Sequence, residues 1–111
     1  MLRYAPDAAR ALTEARDEGA LAHLVGPVTS KAAVLDAIGA ALSFPAWYGR
    51  NLDALYDCLV DLSWQPDGER VLIWAGHRHL EAADPDAYRA VLAVLTDATA
   101  ASPLSVLLAD T

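Results

Sequence analysis

The sequence predicts an α/β fold, a small parallel sheet with helices packed on it. Three observations lead there. Ala20–Val25, Arg70–Trp74 and Leu104–Leu108 are short apolar runs bounded by turn-forming residues, as strands are. Stretches of helical period lie between them, and strands separated by helices pair in parallel through right-handed crossovers. A chain of 111 residues that is 55% apolar and 21% charged has enough core for one domain, and its composition is unlike that of a disordered segment.

Residues Pro6 to Glu18 read as a helix, with Pro near the start, good helix formers within and Gly19 as the stop. Its apolar face is only Ala8, Ala11, Leu12 and Ala15, so this helix is expected at the periphery. Ala20–Val25 is the first strand, ended by Gly26 and Pro27. Thr29 or Ser30 caps a helix over Lys31–Leu42, with Val34, Leu35, Ile38, Ala41 and Leu42 facing inward. Pro45 and Gly49 bound a loop carrying Trp47 and Tyr48, and Gly49 is expected to supply a positive-φ turn. Asn51 is the expected N-cap of the next helix.

Gln65-Pro66-Asp67-Gly68 is a turn. Arg70–Trp74 is apolar without alternation, the mark of a strand buried on both faces. Asp84 caps and Pro85 opens a long helix to about Ala100, with Tyr88, Val91, Leu92 and Leu95 inside. Ser102-Pro103 ends it, and Leu104–Leu108 is the last strand.

The formal charge is −7. That argues against a nucleic-acid surface, which needs clustered Lys and Arg. It suits either plain solubility or a basic partner met by steered encounter. Cys58 is the single cysteine, so no internal disulfide forms, and it borders a leucine stripe as a small buried hydrophobe would. The N-terminal residues lack the apolar run of a signal peptide, and no run approaches the ~20 residues of a membrane span. Cytoplasmic residence without membrane contact is the resulting expectation. His77 and His79 form an HxH near Glu81 and Asp84, but further ligands at metal-site spacing are missing. That stretch is read as a solvated loop and short helix. No metal and no cofactor are expected.

The most informative stretch is Phe44 to Leu62. Leu52, Leu55, Leu59 and Leu62 recur at helical spacing and mark one buried stripe. Asp53 and Asp57 lie together on the opposite side, and extrapolation at 100° per residue places Tyr56, Val60 and Trp64 in that outward sector. Asp53 falls in the first turn, where the helix dipole favours an anion. Two carboxylates four residues apart can act as an acid–base pair or bind a cation, yet no third ligand or nucleophile stands in the segment. Arg50 at the helix entrance is a further candidate contact, a cation placed to offset the acidic face or to pair with Asp53 or Asp57.

The run Pro45, Trp47, Tyr48, Gly49, Asn51, Leu52, Asp53, Ala54, Leu55, Asp57, Cys58 and Leu59 resembles the core motif of the barstar family, whose type member inhibits the ribonuclease barnase. Weaker agreement extends from about Ala20 to Ala109, leaving residues 1–19 outside. The resemblance implies a three-stranded parallel sheet in order 1-2-3, formed by a domain of residues 20–111. Residues 1–19 become an N-terminal helical extension, expected to be dispensable for folding unless it packs on the sheet's open face or joins a dimer. The resemblance also implies that Asp53 and Asp57 enter a ribonuclease cleft, with Asp57 in the place of a substrate phosphate. A carboxylate can copy a phosphate because both accept paired hydrogen bonds from Arg. Trp47 matches a family position held by a contact tyrosine, and Tyr56 one held by a tryptophan. Trp64 lies near a contact tryptophan. Thr96 stands where the family has an acidic contact, and the adjacent Asp97 is the candidate substitute.

Three functions follow in order. The first is an inhibitor of a basic, extracellular-type ribonuclease, made by the same cell as an antitoxin or immunity protein and monomeric when free. Its partner-binding residues are Trp47, Arg50, Asp53, Tyr56, Asp57, Val60, Trp64 and Asp97. The second is a regulatory or assembly protein using the same face on a partner that is not a nuclease. The third, an enzyme working through Asp53 and Asp57, ranks last, and the chain is read as not an enzyme.

Overall fold

The computed structural model describes all of residues 1–111. The elements are β1 (Leu2–Ala5), α1 (Ala8–Asp17), β2 (Leu21–Val25), α2 (Lys31–Ala41), α3 (Leu52–Asp61), β3 (Arg70–Ala75), α4 (Arg78–Ala83), α5 (Pro85–Ala101) and β4 (Ser105–Ala109). The sheet is fully parallel in the order β1-β4-β3-β2. The three strands expected from the sequence keep the relative order 1-2-3. The expected strand number is corrected, however, from three to four. Leu2–Ala5 pairs with β4, Leu2 opposite Val106 and Ala5 opposite Ala109, and the Val106 N–H donates to the Met1 carbonyl at 2.8 Å. A four-residue strand with Arg3 at its centre carries almost no local signal; its partner lies at the other end of the chain.

Because side chains alternate along a strand, the register sorts the core into two layers. Val25, Leu72, Trp74, Val106 and Leu108 join the large cluster with α2, α3 and α5. Ala22, Val71, Ile73, Leu107 and Ala109 form a smaller one with Ala8 and Ala11 of α1. The thin alanine face of α1 thus covers the second side of the sheet. Asp7 starts this helix by accepting from the Ala9 and Arg10 N–H groups, and Gly19 ends it at φ 86°. Ser30, not Thr29, caps α2 through the Ala33 N–H, and Asp84 caps α5 through that of Ala87. No helix is long and apolar enough to cross a membrane.

The expected solvated loop after β3 is also corrected. His77 is wholly buried, stacked on Tyr88 with ring centroids 5.7 Å apart and edge-on to Trp74. Its Nδ1 shares a 2.6 Å hydrogen bond with the Tyr88 hydroxyl, while Nε2 has no hydrogen-bond partner and lies 3.8 Å from an Asp110 carboxylate oxygen. Gly76, at φ 60°, makes the turn that sends His77 inward, and His79 is left exposed. Burial pushes the His77 pKa below its usual 6.5, helped by the nearby Arg78 cation and opposed by Asp110 and Glu81.

Two predictions arise here. Deleting residues 1–19 removes an edge strand and uncovers the apolar layer under α1, so thermal unfolding should show Tm lower by more than ~10 °C; an unchanged Tm would return the segment to a dispensable role. The second concerns pH. The unfolded chain protonates His77 near pH 6.5, whereas the folded chain resists until lower pH. The stability due to neutral His77 is therefore complete above pH 6.5 and falls away as pH drops below it. Urea unfolding at pH 7.5 and 5.5 should show this loss in the wild type and a smaller one in His77→Gln.

Candidate functional site

Packing sets the rotation of α3. Asn51 Oδ1 accepts the Ala54 N–H at 2.8 Å and starts the helix. Leu55, Cys58 and Leu59 are wholly buried, and each leucine contributes about 1.5–3 kcal/mol by leaving water. With that stripe inside, Asp53, Asp57 and Asp61 face solvent. None of the ion pairs in the molecule engages them. Burial, and then the Asp57 and Asp61 charges, push the Cys58 thiol above its usual pKa, so it is a packing group and not a nucleophile.

Tyr56 and Val60 are half-buried, their inner edges packed on the core. Trp64 does not follow the helical phase. The helix ends at Leu62, whose φ of 46° is left-handed and whose side chain is buried at 3% exposure. That cap swings Trp64 towards the loop before α3. There its indole N–H donates to the Leu42 carbonyl at 3.0 Å, and the Gln65 amide donates to the same oxygen. Its ring stands edge-on to Phe44 at 5.8 Å and to Trp47 at 6.4 Å. Trp47 itself is 66% exposed, an unusual position for so large an apolar surface.

Beneath Trp47, Tyr48 holds the loop. Its hydroxyl donates to the Leu35 carbonyl at 3.1 Å, and its ring meets Phe44 edge-on at 4.8 Å. Burial, with smaller contributions from neighbouring charges, pushes its pKa up to about 12, so it stays a neutral donor. The ring sits against α2 where Gly39 leaves room; a Cβ there would lie 2.9 Å from a ring carbon. The expected positive φ at Gly49 falls instead on Arg50, at φ 53°. Such a conformation costs a non-glycine residue about 1–3 kcal/mol. Arg50 pairs with neither Asp53 nor Asp57 but with Asp36 of α2, at 3.4 Å. Asp36 is thus a neighbour of the site that the sequence did not reveal, since an exposed Asp on a capped helix looks like ordinary surface. Asp97 is exposed on α5 and makes no ion pair.

The structure therefore joins Trp47 to Trp64, sets Asp53 and Asp57 one turn apart, and draws Arg50 away to α2. No three His, Cys, Asp or Glu side chains gather to hold a metal ion. Asp53 and Asp57 are two exposed carboxylates without ion-pair partners, and Trp47 is exposed on the loop that precedes their helix.

A parallel α/β domain with an acidic–aromatic surface on one helix and its entry loop is the class these features define. The family model described as Barstar (barnase inhibitor) matches residues 21–108, so the chain belongs to the barstar family. A sequence search of curated proteins gave no match. The matched residues begin at β2; β1 and α1 precede them.

Gly39→Ala should lower stability by up to about 2 kcal/mol, because the new methyl meets the Tyr48 ring at a cost of about 1–3 kcal/mol that alanine's better helix propensity offsets by about 1 kcal/mol. Urea unfolding measures it, and Ala40→Ser on the exposed side of the same helix is the control that should leave stability within about 0.5 kcal/mol.

Proposed function

We propose that this chain is a protein inhibitor of a ribonuclease and binds over the enzyme's active site. Family membership supports the class of activity. The observation that carries the reading is the pair Asp53 and Asp57, exposed and without internal partners on the face opposite the buried leucine stripe. A carboxylate that nothing in its own protein satisfies is free to accept the paired N–H groups of a partner's arginines, as a substrate phosphate would. Asp57 is the phosphate mimic and Asp53 the second anion. Trp47 is an anchor that loses a large apolar surface from water on docking, with Trp64 and Tyr56 as its support and Val60 at the margin. Asp97 is proposed to extend the anionic face onto α5.

The inhibitor acts by occlusion and catalyses nothing. A net charge of −7 suits a basic extracellular-type enzyme and speeds the encounter. The setting we propose is the cytoplasm of the cell that makes the enzyme, where a monomeric inhibitor neutralises it before export.

Asp57→Ala should weaken binding by ~2–5 kcal/mol and Asp61→Ala by less than ~1, a general range to which the barnase–barstar pair has itself contributed. Neither should change folding stability appreciably. Calorimetric titration against barnase, or a ribonuclease encoded beside this chain, at two salt concentrations makes the comparison. Equal and salt-sensitive losses would mean that the face attracts without docking.

A further inference from the structure

A groove of about 410 Å³ adjoins the docking face, between α2 and the loop before α3. Asp36 and Gly39 line one side, and Phe44, Tyr48 and Arg50 the other. Ala46 and Tyr48, the chain neighbours of Trp47, both border it, so it is continuous with the proposed anchor.

Its carboxylate is poorly satisfied. Asp36 is 57% exposed, and its single ionic partner is Arg50, itself 72% exposed. At 3.4 Å their closest approach is longer than the 2.7–2.9 Å typical of a charge-assisted hydrogen bond. An ion pair between two exposed side chains is weak and exchanges readily with another cation. Arg50 reaches Asp36 from a left-handed backbone, a conformation uncommon for a residue other than glycine. The Tyr48 hydroxyl is already engaged with Leu35, which leaves the ring as a neutral aromatic wall.

We propose that this groove is a cation subsite of the docking face. It takes an arginine side chain of the partner, with the guanidinium on Asp36 and the stem against Tyr48, and Arg50 is a place-holder that the incoming arginine displaces. The planar guanidinium can give Asp36 two parallel N–H···O bonds, which the present pair does not, and an aromatic wall favours a cation beside it. The proposal rests on the docking reading above and adds to it the chemistry of the partner: an arginine at the rim of the cleft as well as cations at its centre.

The test uses the whole chain without any nuclease. N-acetyl-arginine amide is titrated at low ionic strength while backbone amide shifts are followed by NMR. Saturable shifts at Asp36, Gly39 and Tyr48 are expected. The apparent affinity should be about threefold or more tighter in Arg50→Ala, where the place-holder is gone, and lost in Asp36→Asn. N-acetyl-norleucine amide, which has the stem without the charge, should shift nothing there. All the substituted side chains are exposed, so retained spectral dispersion shows that the variants fold. An Asp36→Asn response equal to the wild type, no gain in Arg50→Ala, or shifts confined to Asp53 and Asp57 would overturn the subsite. Arginine binding intact in a chain that inhibits no ribonuclease would instead count against the docking reading alone.

Discussion

The burial of Leu55, Cys58 and Leu59 on the side of α3 that packs against α5 and α2 is the constraint on which the rest of the surface depends. It fixes how α3 is rotated about its own axis. A shift of one residue that put Asp57 and Asp61 in the places of Cys58 and Leu62 would turn the helix by 100° and bring carboxylates into the core, where an unpaired charge is prohibitive. Once the rotation is fixed, Asp53 and Asp57 have only solvent to face. The entry and exit of the helix then decide what stands beside them. The Asn51 cap sets the entry, and the left-handed Leu62 sets the exit. The exit brings Trp64 and Gln65 back onto the carbonyl of Leu42, where α2 ends. Two hydrogen bonds to one oxygen thus close the loop carrying Trp47 into a ring of structure.

Backbone strain is concentrated in the same place. Ser43, Arg50 and Leu62 are the three non-glycine residues with positive φ, and all three bracket the segment from the end of α2 to the end of α3. Leu62 buries its side chain, and Arg50 directly precedes the Asn51 cap. A surface held this way has already lost its freedom before a partner arrives, which reduces the ordering penalty of binding. The strain and the free carboxylates occupy the same nineteen residues from Phe44 to Leu62 and the residue before them, and the docking reading accounts for both.

Much of this was legible in the sequence, because the relevant signals are local. The leucine stripe, the Asn51 and Asp84 caps and the unbroken apolar run of β3 each show themselves within a few residues, and the helices and strands they predict are present. What was not legible depends on distant partners. β1 exists because β4 offers it an edge about a hundred residues away. His77 is buried because Gly76 turns it towards Tyr88, and an HxH pattern read alone suggested solvent. A helical wheel continued to Trp64 misplaces it, because the helix ends in a left-handed cap that no residue preference announces, Leu62 not being a glycine. Positive φ was expected at Gly49 and falls on Arg50 because the residue next to the Asn51 cap makes the turn, while Gly49 lies where a Cβ would meet the Asn51 amide at 3.1 Å.

The central claim is that Asp57 occupies the place of a phosphate in a ribonuclease active site. Competition tests it most directly. Binding of this chain to barnase, or to a ribonuclease encoded beside it, is titrated with and without a nucleotide monophosphate seated in the enzyme's active site. The account predicts mutual exclusion, with apparent affinity falling in proportion to nucleotide occupancy and recovering when the nucleotide is removed. Undiminished binding to the nucleotide-filled enzyme would place the contact elsewhere and contradict it.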